Sequence, residues 1–266
     1  MKKFKQKITD ILYAFLMGAV LLGLWQIVVM LLKVPSFILP TPIEVIKALF
    51  KYWPLSIKQN LIYTLSSIAI GYGITVLISI PLALVIASSK WLEKTLYQVL
   101  VIVQIIPKVA LAPLFIIWFG FGITSKIIMV FLMSFFSLLV DATTGFKSLN
   151  PRLVYVARTM TSSKWEFFWK MRFPSALPHI FTGLKISITS ATVGAIIGEF
   201  VGSNQGLGYL LLKANGDLNT AYLLAVLVVL SIVGIILYKI VEISESLALP
   251  WHVSKREALI KGKGVI

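Results

Sequence analysis

The chain has no cysteine, only two histidines, and ten acidic residues against 25 lysines and arginines. Without thiols there is no disulfide framework, thiolate metal site or cysteine nucleophile. His179 and His252 lie far apart, so no imidazole cluster offers itself to a metal. Charge of either sign is scarce, at 13% of 266 residues, where a soluble domain carries about a quarter. The scarcity is also concentrated. Ile11 to Leu32 runs for 22 residues without a charge, and Leu61 to Ser89 for 29. At ~1.5 Å per helical residue the shorter run already covers the ~30 Å of bilayer hydrocarbon. Hydrophobic residues make up 58% of the chain and the mean hydropathy is +0.93. These properties predict an all-α, polytopic membrane helix bundle.

Further apolar runs follow at Thr95–Phe119, broken by Pro107, Lys108 and Pro113, and at Ile127–Val140, Ile186–Ile197 and Ala221–Tyr238. With the two runs above, six transmembrane helices are expected. The basic N-terminus before Ile11 resembles a signal peptide, but a signal's apolar region is shorter, about 7–15 residues. The segment therefore reads as a retained first helix. The net charge of +15 sits in the gaps between apolar runs, which points to membrane topology and not to nucleic acid. With the N-terminus inside, the inner segments hold 16 Lys and Arg and the outer ones 6. That asymmetry predicts both termini on the cytoplasmic side.

Two connecting segments carry more than a link. After the first helix, Thr41 precedes Pro42 as an N-cap before a first-turn proline. Ile43, Ile46, Leu49, Phe50 and Trp53 then recur at helical spacing. This predicts a short amphipathic helix on the outer surface, or else a solvated loop packed on the bundle. The longer segment, 142–182, reads as two short helices around a polar turn. Asn150-Pro151 opens the first, and Thr161-Ser162-Ser163 breaks it. Ser163 and Glu166 have capping-box spacing for the second, and Pro174 and Pro178 are expected to end it. Helices this short need a partner. Trp165, Phe168, Trp169 and Met171 suit the membrane interface, whereas the small residues around Arg158 suit a groove on another protein. An inert loop lying on the headgroups fits the spacing equally well.

This loop resembles the EAA signature of permease subunits of ATP-binding-cassette importers. The likeness runs through Ala157-Arg158-Thr159-Met160, Ser163, Phe173-Pro174-Ser175-Ala176-Leu177-Pro178 and Thr182-Gly183-Leu184-Lys185. Tyr155 stands where the family usually has glutamate, and Thr161 where it usually has glycine, so the turn lacks glycine's freedom. Ile38-Leu39-Pro40-Thr41-Pro42, Ile106–Leu114 leading to Trp118-Phe119-Gly120-Phe121-Gly122, and Gly206-Leu207-Gly208-Tyr209 are similar to the nitrate/sulfonate/taurine-type branch, which also includes carriers of pyrimidine or riboflavin-type vitamin precursors. The tail Pro250-Trp251-His252 resembles the vitamin-precursor group over three residues only. The resemblance covers about residues 35–245.

The resemblance implies a single permease domain over 1–266, with its core at 60–245, in a bacterial inner membrane. It implies a second permease copy, cytoplasmic ATP-binding subunits and an extracytoplasmic substrate-binding protein as partners. Tyr155, Val156, Ala157, Arg158, Thr159, Met160, Thr161, Ser162 and Ser163 would form the coupling helix and turn that dock on the ATPase. The chain has no G-x-x-x-x-G-K-[ST] loop, so ATP hydrolysis is expected in the partner, with no cofactor or metal here. A self-contained secondary transporter or channel is the alternative. Its usual inverted repeats and intramembrane carboxylates are not evident beyond Glu199.

For the transport pathway, Gln104, Lys108 and Glu199 are the candidates. Lys108 lies between two prolines and fits either a pore-lining cation or a lysine snorkelling to an interface. Gln104 lies four residues before it on the same expected helix. Glu199 fits an outer gate or a solvated helix end. The Ser/Thr/Ala/Gly-rich run 187–198 fits either an interface between two copies or close packing within one.

Overall fold

A computed structural model describes residues 2–149, 154, 155 and 163–251, and these are helical throughout, without a strand. The principal helices are α1 (Lys2–Leu31), α2 (Pro42–Tyr52), α3 (Lys58–Ser88), α4 (Gln98–Ile105), α5 (Ala112–Phe119), α6 (Ile123–Lys147), α7 (Phe173–Gly202), α8 (Leu207–Gly216) and α9 (Thr220–Ala248). Four continuous helical stretches are long and apolar enough to cross a membrane: Pro42–Ser88, Ile123–Lys147, Trp165–Gly202 and Thr220–Ala248. Leu16–Leu31 and Lys108–Phe119 are shorter apolar helices. The 25 residues of α6 reach about 37 Å, more than the hydrocarbon thickness.

The core is a three-helix seam of α3, α6 and α7. Helix α7 runs antiparallel along α6, and glycines set the close approach. A Cβ on Gly194 would lie 3.0 Å from the Met129 carbonyl, and one on Gly183 2.8 Å from the Asp141 Cβ. In a bilayer, lipid tails compete on equal terms for apolar side chains, so small residues that bring backbones together decide the contact. Close packing within one subunit therefore accounts for much of the small-residue run of α7: Ser187, Ala191, Gly194, Ala195 and Gly198 are all buried. Hydroxyls bind the seam as well. Thr75 of α3 and Ser134 of α6 share a hydrogen bond of 2.8 Å, and the Tyr72 hydroxyl donates to the Leu184 carbonyl at 2.9 Å. Helix α9 joins α7 through a Lys185–Glu245 ion pair at 2.9 Å.

The Thr41 cap forms as a full capping box: the Thr41 N–H donates to Glu44 at 2.7 Å, and the Glu44 N–H donates to the Thr41 hydroxyl at 3.3 Å. Two features of this region go beyond the expected amphipathic helix. Helix α2 does not stand alone, because a π-helical turn at Trp53–Ile57 joins it to α3. It also buries Pro42, Val45 and Ala48, while Ile43, Ile46 and Phe50 are exposed. The small residues pack on Ala225, Trp25 and Leu224, and the large apolar ones turn outward.

The prolines after the long loop behave differently from expectation too. Pro174 and Pro178 do not end a helix, since the backbone stays helical from Trp165 to Gly202. For Pro174 the cause lies at Phe168–Arg172, a π-helical turn in which the Phe173 N–H reaches back to the Phe168 carbonyl, whereas Pro178 sits inside the regular helix. The wider turn makes room at the Lys170 carbonyl, which the Pro174 ring would strike in a regular helix.

Candidate coupling and pathway sites

The loop between α6 and α7 carries the residues expected to couple to an ATPase. Both of its roots are held. Lys147, the last residue of α6, pairs with Glu93 at 2.6 Å. At the other root the Ser163 hydroxyl accepts the Glu166 N–H at 3.1 Å, the expected cap. The Glu166 carboxylate turns instead to Lys170, at 2.8 Å. Tyr155 is exposed. Val156, Ala157, Arg158, Thr159, Met160, Thr161 and Ser162 lie outside the described residues.

Arg172 ties the returning root to two other helices. Its guanidinium donates to the Ala87 carbonyl at 2.7 Å, to the Ser88 hydroxyl at 3.1 Å and to the Phe146 carbonyl at 3.4 Å. Ala87 and Phe146 belong to the last turns of α3 and α6, where carbonyls lack helical partners and the helix dipole is negative. One planar cation thus caps two helix ends. Around it, Phe146, Trp165, Phe168, Trp169 and Phe173 form a run of ring contacts, with Trp169 and Phe173 centroids 5.2 Å apart. Trp165 stays 70% exposed, as suits a bilayer interface.

The pathway candidates separate in space. Gln104 is exposed on α4, and the chain breaks at Ile106-Pro107 before a short 3₁₀ turn at Lys108–Leu111. The two are therefore not neighbours on one helix, which corrects the sequence expectation. The Lys108 ammonium lies 5.0 Å from the centre of the Phe136 ring, a cation–π contact with α6.

Glu199 is fully buried, which excludes the solvated reading and leaves it lining no open surface of this protomer. It belongs to a clasp at the start of α8. The N–H groups of Gly206, Leu207 and Gly208 are donors that the helix itself cannot satisfy. Asn60 Oδ1 accepts the first at 2.6 Å, Thr64 Oγ1 the second at 2.8 Å, and Glu199 the third at 2.7 Å. The Thr64 hydroxyl in turn donates to Glu199 at 2.8 Å. Lys126, also fully buried, donates to the carbonyls of Phe121 (2.8 Å) and Gly202, and interacts electrostatically with Glu199. Gly206 has no side chain to cap its own helix, so groups from α3 and α7 supply the acceptors.

Sequence reasoning missed Lys126, Thr64 and Asn60, having counted Lys126 as an outer-loop charge. The available signal was a pair of opposite charges at the same expected outer level. Asp141 and His179 are 38 residues apart in the chain. The α6–α7 seam brings them together, because Gly145 packs on the His179 Cβ and Gly183 on the Asp141 Cβ, and the two side chains interact electrostatically. Among the described residues no group of three His, Cys, Asp or Glu side chains could hold a metal.

Residues 76–247 match the family described as the binding-protein-dependent transport system inner membrane component. The chain belongs to that family. A formylaminopyrimidine transport permease protein, ThiX, from Halalkalibacterium halodurans is 33% identical over 95% of this chain and 99% of its own length. A riboflavin transport system permease protein, RibX, from Chloroflexus aurantiacus is 34% identical over 88% of each. Taurine, aliphatic sulfonate and nitrate permeases are also among the relatives, in agreement with the branch identified from the motifs. A solved structure of the MetNI methionine ABC transporter, titled as inward facing, shares the fold. Its TM-score is 0.57 and its identity 18%, over 73% of this chain and 94% of that one. The protein is thus a permease subunit of an ATP-binding-cassette importer, a multi-pass component of the inner membrane.

Proposed function

We propose that this permease crosses the membrane six times with both termini in the cytoplasm, works as a pair of copies, and docks on a separate ATPase through residues 155–163. An extracytoplasmic binding protein delivers the substrate in this reading, which the description of the family's transport system as binding-protein-dependent supports. The four long spans, the apolar helix Leu16–Leu31 and the broken segment through α4 and α5 would supply the six crossings. Broken backbone at Pro107 is tolerable within a bilayer where protein or a water-filled cavity surrounds it. That keeps Gln104 and Lys108 as candidates for the pathway, while Glu199 acts on it indirectly by holding α8 in place. Residues 1–266 form one permease domain in this reading.

The observation that carries the docking role is the anchoring of both loop roots. The Lys147–Glu93 pair and the Arg172 joint tie the chain on either side of the loop to helix ends, so a push on the loop is delivered to α3, α6 and α7 together. The chain would then be tested by co-expression with candidate ATPase subunits and purification in detergent. Wild type should retain its ATPase, and Ala157→Glu and Arg158→Glu should each lower the co-purified amount by about tenfold, a change of ~1.4 kcal/mol in binding. Equal retention by the folded variants, or none by wild type with any candidate, would remove the docking assignment.

A further inference from the structure

One face of the α6–α7 pair carries polar side chains that are uncovered within the protomer. Thr144, His179, Thr182 and Thr189 are exposed, and Asp141 is partly so. On α6, Asp141 and Thr144 lie three residues apart. On α7, His179, Thr182 and Thr189 fall at spacings of three and seven. Asp141 lies six residues before the end of α6, about 9 Å along the helix axis from it. A carboxylate at that depth does not face lipid.

Among the described residues its electrostatic partner is His179. No described lysine or arginine forms an ion pair with Asp141, and the cations of this half are committed elsewhere. Lys185 pairs with Glu245, Lys147 with Glu93, Arg172 holds the ends of α3 and α6, and Lys108 lies over Phe136. Phe136 is five residues from Asp141, roughly 140° around the helix, so Lys108 is on another side.

The hydroxyls on this face share a second property. Thr144 donates its proton to the Val140 carbonyl at 2.9 Å, Thr182 to Pro178 at 3.0 Å and Thr189 to Ile186 at 2.7 Å. With the single hydroxyl proton spent on its own helix, each oxygen presents only lone pairs outward. The face is therefore a wall that presents three threonine acceptors and a carboxylate, with His179 beside the carboxylate and Ile186 exposed between Thr182 and Thr189.

We propose that this wall lines the cytoplasmic half of the substrate pathway and favours neutral or cationic solutes rich in N–H donors. Oxyanions such as nitrate or a sulfonate, which offer acceptors alone, would meet the threonine lone pairs and a like charge, with His179 alone to donate to them. The inference rests on the permease acting as a transport pathway and goes beyond it in naming the wall and the chemistry it admits.

The absence of native cysteine makes the test direct. Thr182→Cys, Thr189→Cys and, on α9, Ile235→Cys would be made in the chain assembled with its ATPase partner in inside-out membrane vesicles. Each would be labelled with a cationic trimethylammonium and an anionic sulfonate methanethiosulfonate reagent. The first two variants should react and the Ile235→Cys control, on an apolar face, should not. Adding Asp141→Asn to Thr182→Cys should lower the cation-to-anion rate ratio by about 25-fold, since losing one charge ~4 Å away in water slows the cation and speeds the anion by about fivefold each. Silence at both threonine positions would show the face covered by lipid or by a second copy, and would overturn the proposal. So would a ratio that Asp141→Asn leaves unchanged. Neither result bears on ATPase co-purification, so the docking role stands or falls separately.

Discussion

Gly206→Ala is expected to destabilise the protein more than any other single methyl addition at the outer end. Gly206 holds φ +106° and ψ 162°, backbone that is open almost only to glycine. An added Cβ would also meet the Glu199 carboxylate well inside contact distance. The carboxylate cannot simply swing away, because it is fully buried and takes hydrogen bonds from Thr64 and Gly208. Backbone strain costs about 1–3 kcal/mol, and parting a buried charge from its donors about 3–5 kcal/mol. A loss of at least about 3 kcal/mol would lower the midpoint of thermal unfolding in detergent by roughly 6–12 °C. Gly234→Ala is the matched control, since a Cβ there touches nothing and alanine suits a helix better. It should leave the midpoint unchanged or raise it slightly. Equal midpoints for the two variants would mean that the clasp contributes nothing to stability.

The second large effect is expected at Arg172. Arg172→Leu keeps much of the aliphatic stem but removes the donors that reach Ala87, Ser88 and Phe146. Hydrogen bonds from a charged group contribute about 1.5–3 kcal/mol each, and this guanidinium is only partly buried, so a net loss of about 2–4 kcal/mol is expected. Arg172→Lys should recover part of it, because an ammonium can serve one helix end but lacks the planar fork that serves two. Transport separates the joint from mere stability. With ATPase still co-purifying, Arg172→Lys should hydrolyse ATP but carry substrate several-fold less efficiently per ATP, because α3 and α6 no longer move with the returning root. Unchanged transport per ATP in Arg172→Lys would reduce Arg172 to a stabilising residue.

Much of this was legible in the sequence because it is local. Uncharged runs announce membrane segments whatever lies around them. The Thr41–Glu44 box and the Ser163 cap need only four consecutive residues, and both formed. The loop motif placed the family, and the match over residues 76–247 agrees. Boundaries were less legible. Prolines predicted stops at Pro174 and Pro178, but a π-helical turn just upstream absorbed the steric conflict at Pro174, and the helix continues through Pro178. Whether a turn widens by one residue depends on what the widened turn can aim, here Arg172 at two helix ends.

What the sequence determined by itself is therefore that this chain lives in a bilayer, where its long apolar runs fall, and which family it belongs to. Only the tertiary structure decided which face of each span looks inward. The physical reason is the solvent. In water an apolar side chain announces the core, but lipid accepts Ile43, Ile46 and Phe50 as readily as protein does, so Val45 and Ala48 took the contact instead. The interior then belongs to glycines and to polar groups whose partners come from distant segments. Glu199 meets Thr64, and Gly183 meets Asp141. No local pattern joins such residues, so the clasp and the acceptor wall came into view only once α3, α6 and α7 were packed together.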